Sequence, residues 1–67
     1  MDAELQALDS ALIAAAVHGW QVTLLDQIDG VWTAGASEKI DDEPLATGTG
    51  TTRTAALLAL IAALESR

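Results

Sequence analysis

Apolar positions over residues 3–18 recur with the period of a helix. Leu5, Leu8, Leu12 and Ala16 form a stripe, and Ile13 and Val17 widen it on one side. The spacing predicts a helix that turns this stripe to the core. Asp2 is placed to cap its start, Glu4 suits the positive end of the helix dipole, and Gly19 ends it, with Trp20 where a Schellman contact sits. The opposite side (Ala3, Ala7, Ala11 and Ala14) is small rather than charged.

The period then changes to two. Trp20, Val22 and Leu24 alternate with Gln21, Thr23 and Gln27, as in a half-buried strand, and Asp29-Gly30 signals a hairpin. A two-residue turn at Asp29-Gly30 puts Trp32 on the face opposite Trp20. A three-residue loop with Gly30 as a bulge pairs Gln27 with Val31 and gathers Trp20, Val22, Leu24, Trp32, Ala34 and Ala36 on one face. The second separates apolar from polar better, with Leu25 and Val31 as misfits, and is the register expected.

The second strand is expected over Val31–Lys39, followed by a turn at Asp41-Asp42-Glu43-Pro44. A short third strand over Leu45–Thr49 has a face blurred by Gly48 and Gly50, with Leu45 expected to point inward. Thr52 then caps a helix over residues 53–66, with Leu57, Leu60, Ile61 and Leu64 as its core stripe and Ala55, Ala59, Ala62 and Ala63 behind. The expected fold class is α+β: a three-stranded antiparallel β-meander covered by an N-terminal and a C-terminal α-helix, one domain over residues 1–67. The helices are the only cover the sheet's apolar face has. The Ala sides imply either close helix–helix packing or contact with another chain.

Composition narrows the functions open to such a domain. Apolar residues are 51% of the 67, but fourteen of them are Ala, so little bulk is available to wall off a cleft. The net charge is −7, and Lys39, Arg53 and Arg67 are scattered, which argues against direct binding to nucleic acid or to an anionic membrane surface. The longest uncharged apolar run, Ala55–Leu64, is half the length of a membrane span. The acidic start is unlike a secretory leader, so the expected location is the cytoplasm. Without Cys there is neither a disulfide framework nor a thiolate metal site.

Chemistry-bearing residues are sparse. Asp41, Asp42 and Glu43 are consecutive, which suits no EF-hand, so no metal is expected. Gly48-Thr-Gly50-Thr-Thr52-Arg53 lacks the lysine of a P-loop and reads as a capped helix start with flexible glycines. His18 has no nucleophile or second His to work with, Asp9 reads as a stripe-edge residue reaching solvent, and Trp20 and Trp32 read as core anchors. Neither catalytic residues nor a cofactor are expected.

The segments Trp20-Gln-Val-Thr-Leu, Asp29-Gly30-Val-Trp32-Thr-Ala34, and Gly50-Thr-Thr52 leading into Ala56-Leu57 resemble two groups. One is the HicB-like antitoxin fold. The other is the group of very small acidic phage proteins of α-β-β-β-α build, anti-CRISPR inhibitors among them, which the helix ahead of the first strand fits more closely. That resemblance implies an inhibitor acting in the cytoplasm of a bacterial host.

The expected function is therefore a small acidic inhibitor that binds a host protein with a basic nucleic-acid-binding surface, as a DNA mimic. The contact residues expected are Asp26, Asp29, Glu38, Asp41, Asp42 and Glu43, gathered at the two ends of the meander. A HicB-like antitoxin that binds a small toxin and an oligomeric assembly protein are the alternatives. Monomer and homodimer both remain open.

Overall fold

The first helix, α1 (Ala3–Val17), opens on Asp2, whose carboxylate accepts the Glu4 amide at 2.9 Å. It closes in a Schellman motif. Gly19 sits at φ 77° and donates to the Ala16 carbonyl, and the Trp20 amide donates to the Ala15 carbonyl, both at 2.9 Å. The computed structural model describes residues 2–67. The remaining elements are β1 (Gln21–Ile28), β2 (Val31–Ser37), β3 (Ala46–Gly50) and α2 (Arg53–Glu65). The order is α-β-β-β-α and the strands form an antiparallel meander, so the fold is α+β as the periodicities predict.

Both helices lie on one face of the sheet. α2 covers β2 and β3, and α1 lies against α2 and β1. They run parallel: Glu4 pairs with Arg53 at 3.4 Å where both begin, and His18 Nε2 donates to the Leu64 carbonyl at 3.0 Å where both end. Leu57, Leu60 and Leu64 of α2 are the largest apolar side chains fully buried, in agreement with the predicted stripe.

α1 is turned the other way from expectation. Its buried residues are Ala7, Ala11 and Ala15, while Leu5, Leu12, Ile13 and Val17 are exposed; only Leu8 of the leucine stripe packs on the core. Apolar residues surround this helix, so periodicity gives no single inward direction. The close parallel approach to α2 then selects the methyl-sized side, since interiors are close-packed.

The hairpin also departs from the expected register. Asp29 (φ 53°) and Gly30 (φ 79°) form a two-residue turn with both residues left-handed, as in type I′, whose twist matches that of the strands. Ile28 pairs with Val31 and Gln27 with Trp32, rather than Gln27 with Val31. The expected pairing survives only at the far end, as Gln21–Ser37 and Val22–Ala36. A bulge between Val22 and Leu24 joins the two halves and leaves Thr23 as the extra residue. It keeps Trp20 and Trp32 on the helix-facing side, and it brings Leu25 onto the core in place of Leu24.

β3 turns Ala46, Gly48 and Gly50 inward, and Leu45, expected inside, is exposed. Helix α2 rests directly on this strand. A β-carbon on Gly48 would stand 2.6 Å from the Ala56 carbonyl oxygen, and one on Gly50 would stand 2.5 Å from the Ala55 β-carbon. These glycines are seats for a helix, not flexible links. β2 stops at Ser37, short of Lys39, because the Ser37 hydroxyl bonds the Lys39 carbonyl at 2.7 Å and bends the chain out of the sheet.

Candidate functional site

The sheet face away from the helices carries alternate residues of β2, namely Val31, Thr33, Gly35 and Ser37, with Thr47 and Thr49 of β3 beside them. Asp26 lies opposite Thr33 and so belongs to this face, and Asp29 sits in the turn at the same end. Glu38, Asp41, Asp42 and Glu43 lie in the exposed connection between β2 and β3, at the other end. β2 has seven residues, so about 20 Å of strand separates the two acidic groups.

The connection folds back over the outer face. A β-carbon on Gly35 would meet the Pro44 ring at 3.0 Å and Leu24 at 3.2 Å, so glycine lets Pro44 approach closely and any side chain there would push Pro44 or Leu24 back by a few tenths of an ångström. Ser37 is fully buried beneath it and holds it by hydroxyl chemistry. Its Oγ donates to the Lys39 carbonyl and accepts the Thr23 hydroxyl proton, both at 2.7 Å. The Asp42 amide bonds the Lys39 carbonyl at 3.1 Å, and Gln21 Nε2 donates to the Glu38 carbonyl at 3.3 Å. The four carboxylates of this connection thus ride on a tethered backbone and border the same face as Asp26.

Sequence reasoning finds the acidic residues but not their tether. Ser37 and Thr23 read as ordinary polar-face residues. The available signal was Gly35 within a strand, which marks close backbone approach.

Lys39 lies within the acidic connection itself, and Arg67 donates to the carbonyl of Leu45 at its end, so only Arg53 is held at the opposite end of the sheet. Arg53 lies over the Trp32 ring at 4.9 Å and Arg67 over Trp20 at 5.6 Å, with His18 stacked on Trp20 at 4.8 Å. Arg53–Glu4 is the one salt bridge among the described residues. The end that holds Glu38–Glu43 also receives the C-termini of both parallel helices, whose dipoles add negative potential there. At the opposite end the helix N-termini and Arg53 offset Asp2, Glu4, Asp26 and Asp29.

The other sequence features resolve simply. Thr52 caps α2, its hydroxyl accepting the Ala55 amide at 3.0 Å. Asp9 is exposed, and Trp20 and Trp32 are half-buried against the core. Among the described residues no three His, Asp or Glu side chains are grouped so as to hold a metal ion, and no helix is long and apolar enough to cross a membrane. No protein-family model matches this chain, and no curated protein or solved structure matches it.

Proposed function

We propose that this chain is a non-catalytic binding protein that occupies the basic, nucleic-acid-binding surface of a second protein, with the carboxylates at the two ends of the sheet's outer face as its contact. The observation that carries this reading is the convergence of carboxylates and helix dipoles at one end. Glu38, Asp41, Asp42 and Glu43 are held on a tethered segment where both helices direct their negative ends. A partner drawn by this field meets that end first and reaches Asp26 and Asp29 along the sheet. Fixed negative charge of this kind speeds encounter and favours partners that normally hold phosphates, in the manner of a DNA mimic. The resemblance to small acidic phage inhibitors agrees with this direction.

The test is capture of partners from a bacterial lysate on the immobilised full chain, followed by displacement of fluorescent duplex DNA from the captured protein. Wild-type chain is expected to displace DNA at about 50 mM salt and much less at about 500 mM, where the screening length falls to a few ångströms. Asp41→Lys with Asp42→Lys is expected to weaken displacement by about tenfold or more, and Asp26→Lys with Asp29→Lys by less. Displacement that survives the Asp41/Asp42 reversal overturns the reading.

A further inference from the structure

We propose that the open edge of β3 pairs with β3 of a second copy of this chain, antiparallel and centred on Gly48, so that two meanders join into one six-stranded sheet. The inference concerns main-chain groups at the sheet edge and does not rest on the function proposed above.

The meander has β1 and β3 at its edges, and the two differ. The tight turn makes Ile28 and Val31 a hydrogen-bonded pair, so Leu25 and Gln27 point their main-chain groups away from β2. That edge is blunted. The Asp26 carboxylate takes the Gln27 amide at 2.8 Å, and the bulge at Thr23 interrupts the line. By the same alternation Trp32 bonds Gly50 and Ala34 bonds Gly48, which leaves the amides and carbonyls of Thr47 and Thr49 pointing outward. Among the described residues nothing bonds these groups. Between Ala46 and Gly50 this edge has no charge, proline or bulge to guard it.

A row of unpaired amides and carbonyls takes an extended strand. A two-fold contact must also be complementary to itself, and this edge is. Centred on Gly48, Thr47 of each copy stands opposite Thr49 of the other. That register satisfies the amide and carbonyl of both residues in both copies, and it sets threonine beside threonine, a favourable cross-strand pair.

Charge and shape agree with a second copy. The register carries Glu43 of one copy toward Arg53 and the start of α2 in the other, so each acidic connection meets the positive end of a helix rather than its own counterpart. The two Glu38–Glu43 segments fall at opposite ends of the joined sheet. Helix α2 touches β2 as well as β3, so its axis lies inward of the edge. With Leu60 and Leu64 turned to the core and Ile61 toward α1, helical geometry puts Ala55 and Ala59 on the flank above the edge. Strands pair at about 4.8 Å, which brings the two α2 helices to the short end of helix spacing, about 8 Å, where methyl groups fit.

Sedimentation equilibrium of the full chain from about 1 μM to about 1 mM tests this, with the mass expected to rise from 6.9 kDa toward twice that value. N-methylation of the Thr49 amide, introduced by chemical synthesis, removes a donor that bonds nothing within one chain. It is expected to weaken pairing at least about a hundredfold with unchanged far-UV circular dichroism. N-methylation of Leu25, whose amide points outward at the other edge, is expected to leave pairing unchanged. Ala59→Glu provides a second disruption should the Thr49 variant lose structure, with an expected weakening of about tenfold or more. In the wild-type chain the Thr47 and Thr49 amides are expected to exchange more slowly at about 1 mM than at about 10 μM, and the Leu25 amide equally at both. A wild-type chain that stays monomeric at about 1 mM overturns the proposal. So does a dimer that persists in either folded disruption variant, or one that Leu25 methylation abolishes.

Discussion

Gly48 of β3 lies against the main chain of α2 at Leu60: a β-carbon there would overlap the Leu60 amide nitrogen and crowd the Ala56 carbonyl. Neither contact atom belongs to a flexible side chain, so the helix must lift off the strand to admit even a methyl group. Gly48→Ala is expected to destabilise the fold by about 3 kcal/mol or more, the upper range of overpacking. Thr47→Ala, on the exposed side of the same strand, should change stability by no more than about 0.5 kcal/mol. Urea denaturation of the two variants checks the contrast.

Gly30 requires glycine for a different reason. Nothing lies within 4 Å of its missing side chain, but its φ of 79° is left-handed. Gly30→Ala is expected to cost about 1 kcal/mol through backbone strain alone. A D-alanine at this position, introduced by chemical synthesis, should be neutral or slightly stabilising. Equal losses from both alanine enantiomers would contradict the turn geometry.

Ser37 connects the sheet to the acidic segment. Ser37→Ala leaves the Thr23 hydroxyl without its partner and the Lys39 carbonyl with the Asp42 amide alone, at an expected cost of about 1–2 kcal/mol. The more telling readout is local. Amide exchange over residues 38–42 should accelerate about tenfold or more, while protection in α2 changes only in line with global stability. Uniform acceleration across the chain would show that Ser37 has no particular hold on that segment.

The orientation of α1 is testable by size. Ala11 is fully buried beside α2, so Ala11→Leu is expected to destabilise by about 1–3 kcal/mol. Ile13→Ser, on the exposed side, should alter monomer stability by no more than about 0.5 kcal/mol when unfolding is followed at low micromolar concentration. Were the Leu5–Leu12 stripe the buried one, the larger loss would fall on Leu12→Ala.

The legible parts of this fold were those fixed by local chemistry. Asp2, Gly19 and Thr52 mark helix ends through hydrogen bonds to their own neighbours, and all three act as their residue types predict. The α2 stripe was legible because its leucines lie on one side. In α1, by contrast, Leu, Ile and Ala occupy every side, and only the distance to α2 decides which is buried. The hairpin was half legible. Separation of apolar from polar residues correctly required Trp20 and Trp32 to share a face, but the shift occurs at Thr23 within the strand, not in the turn. Of the candidate site, the carboxylates could be placed at their ends from topology. Their common face could not, since it depends on Pro44 folding over Gly35, a contact between residues nine apart with no periodic signature.

The bulge at Thr23 has a consequence for how such a chain can vary. Val22 pairs with Ala36 and Leu24 with Gly35, consecutive positions on β2, so Thr23 is supernumerary to the ladder. Deleting it leaves every inward residue of β1 inward and the turn unchanged. What is lost is the hydroxyl that Ser37 accepts. The strand therefore contains a position at which length can change without altering the buried set, and that same position bears on the tether of the acidic segment. Shortening β1 by one residue there is a route by which the mobility of the acidic end can be retuned while the core stays as it is.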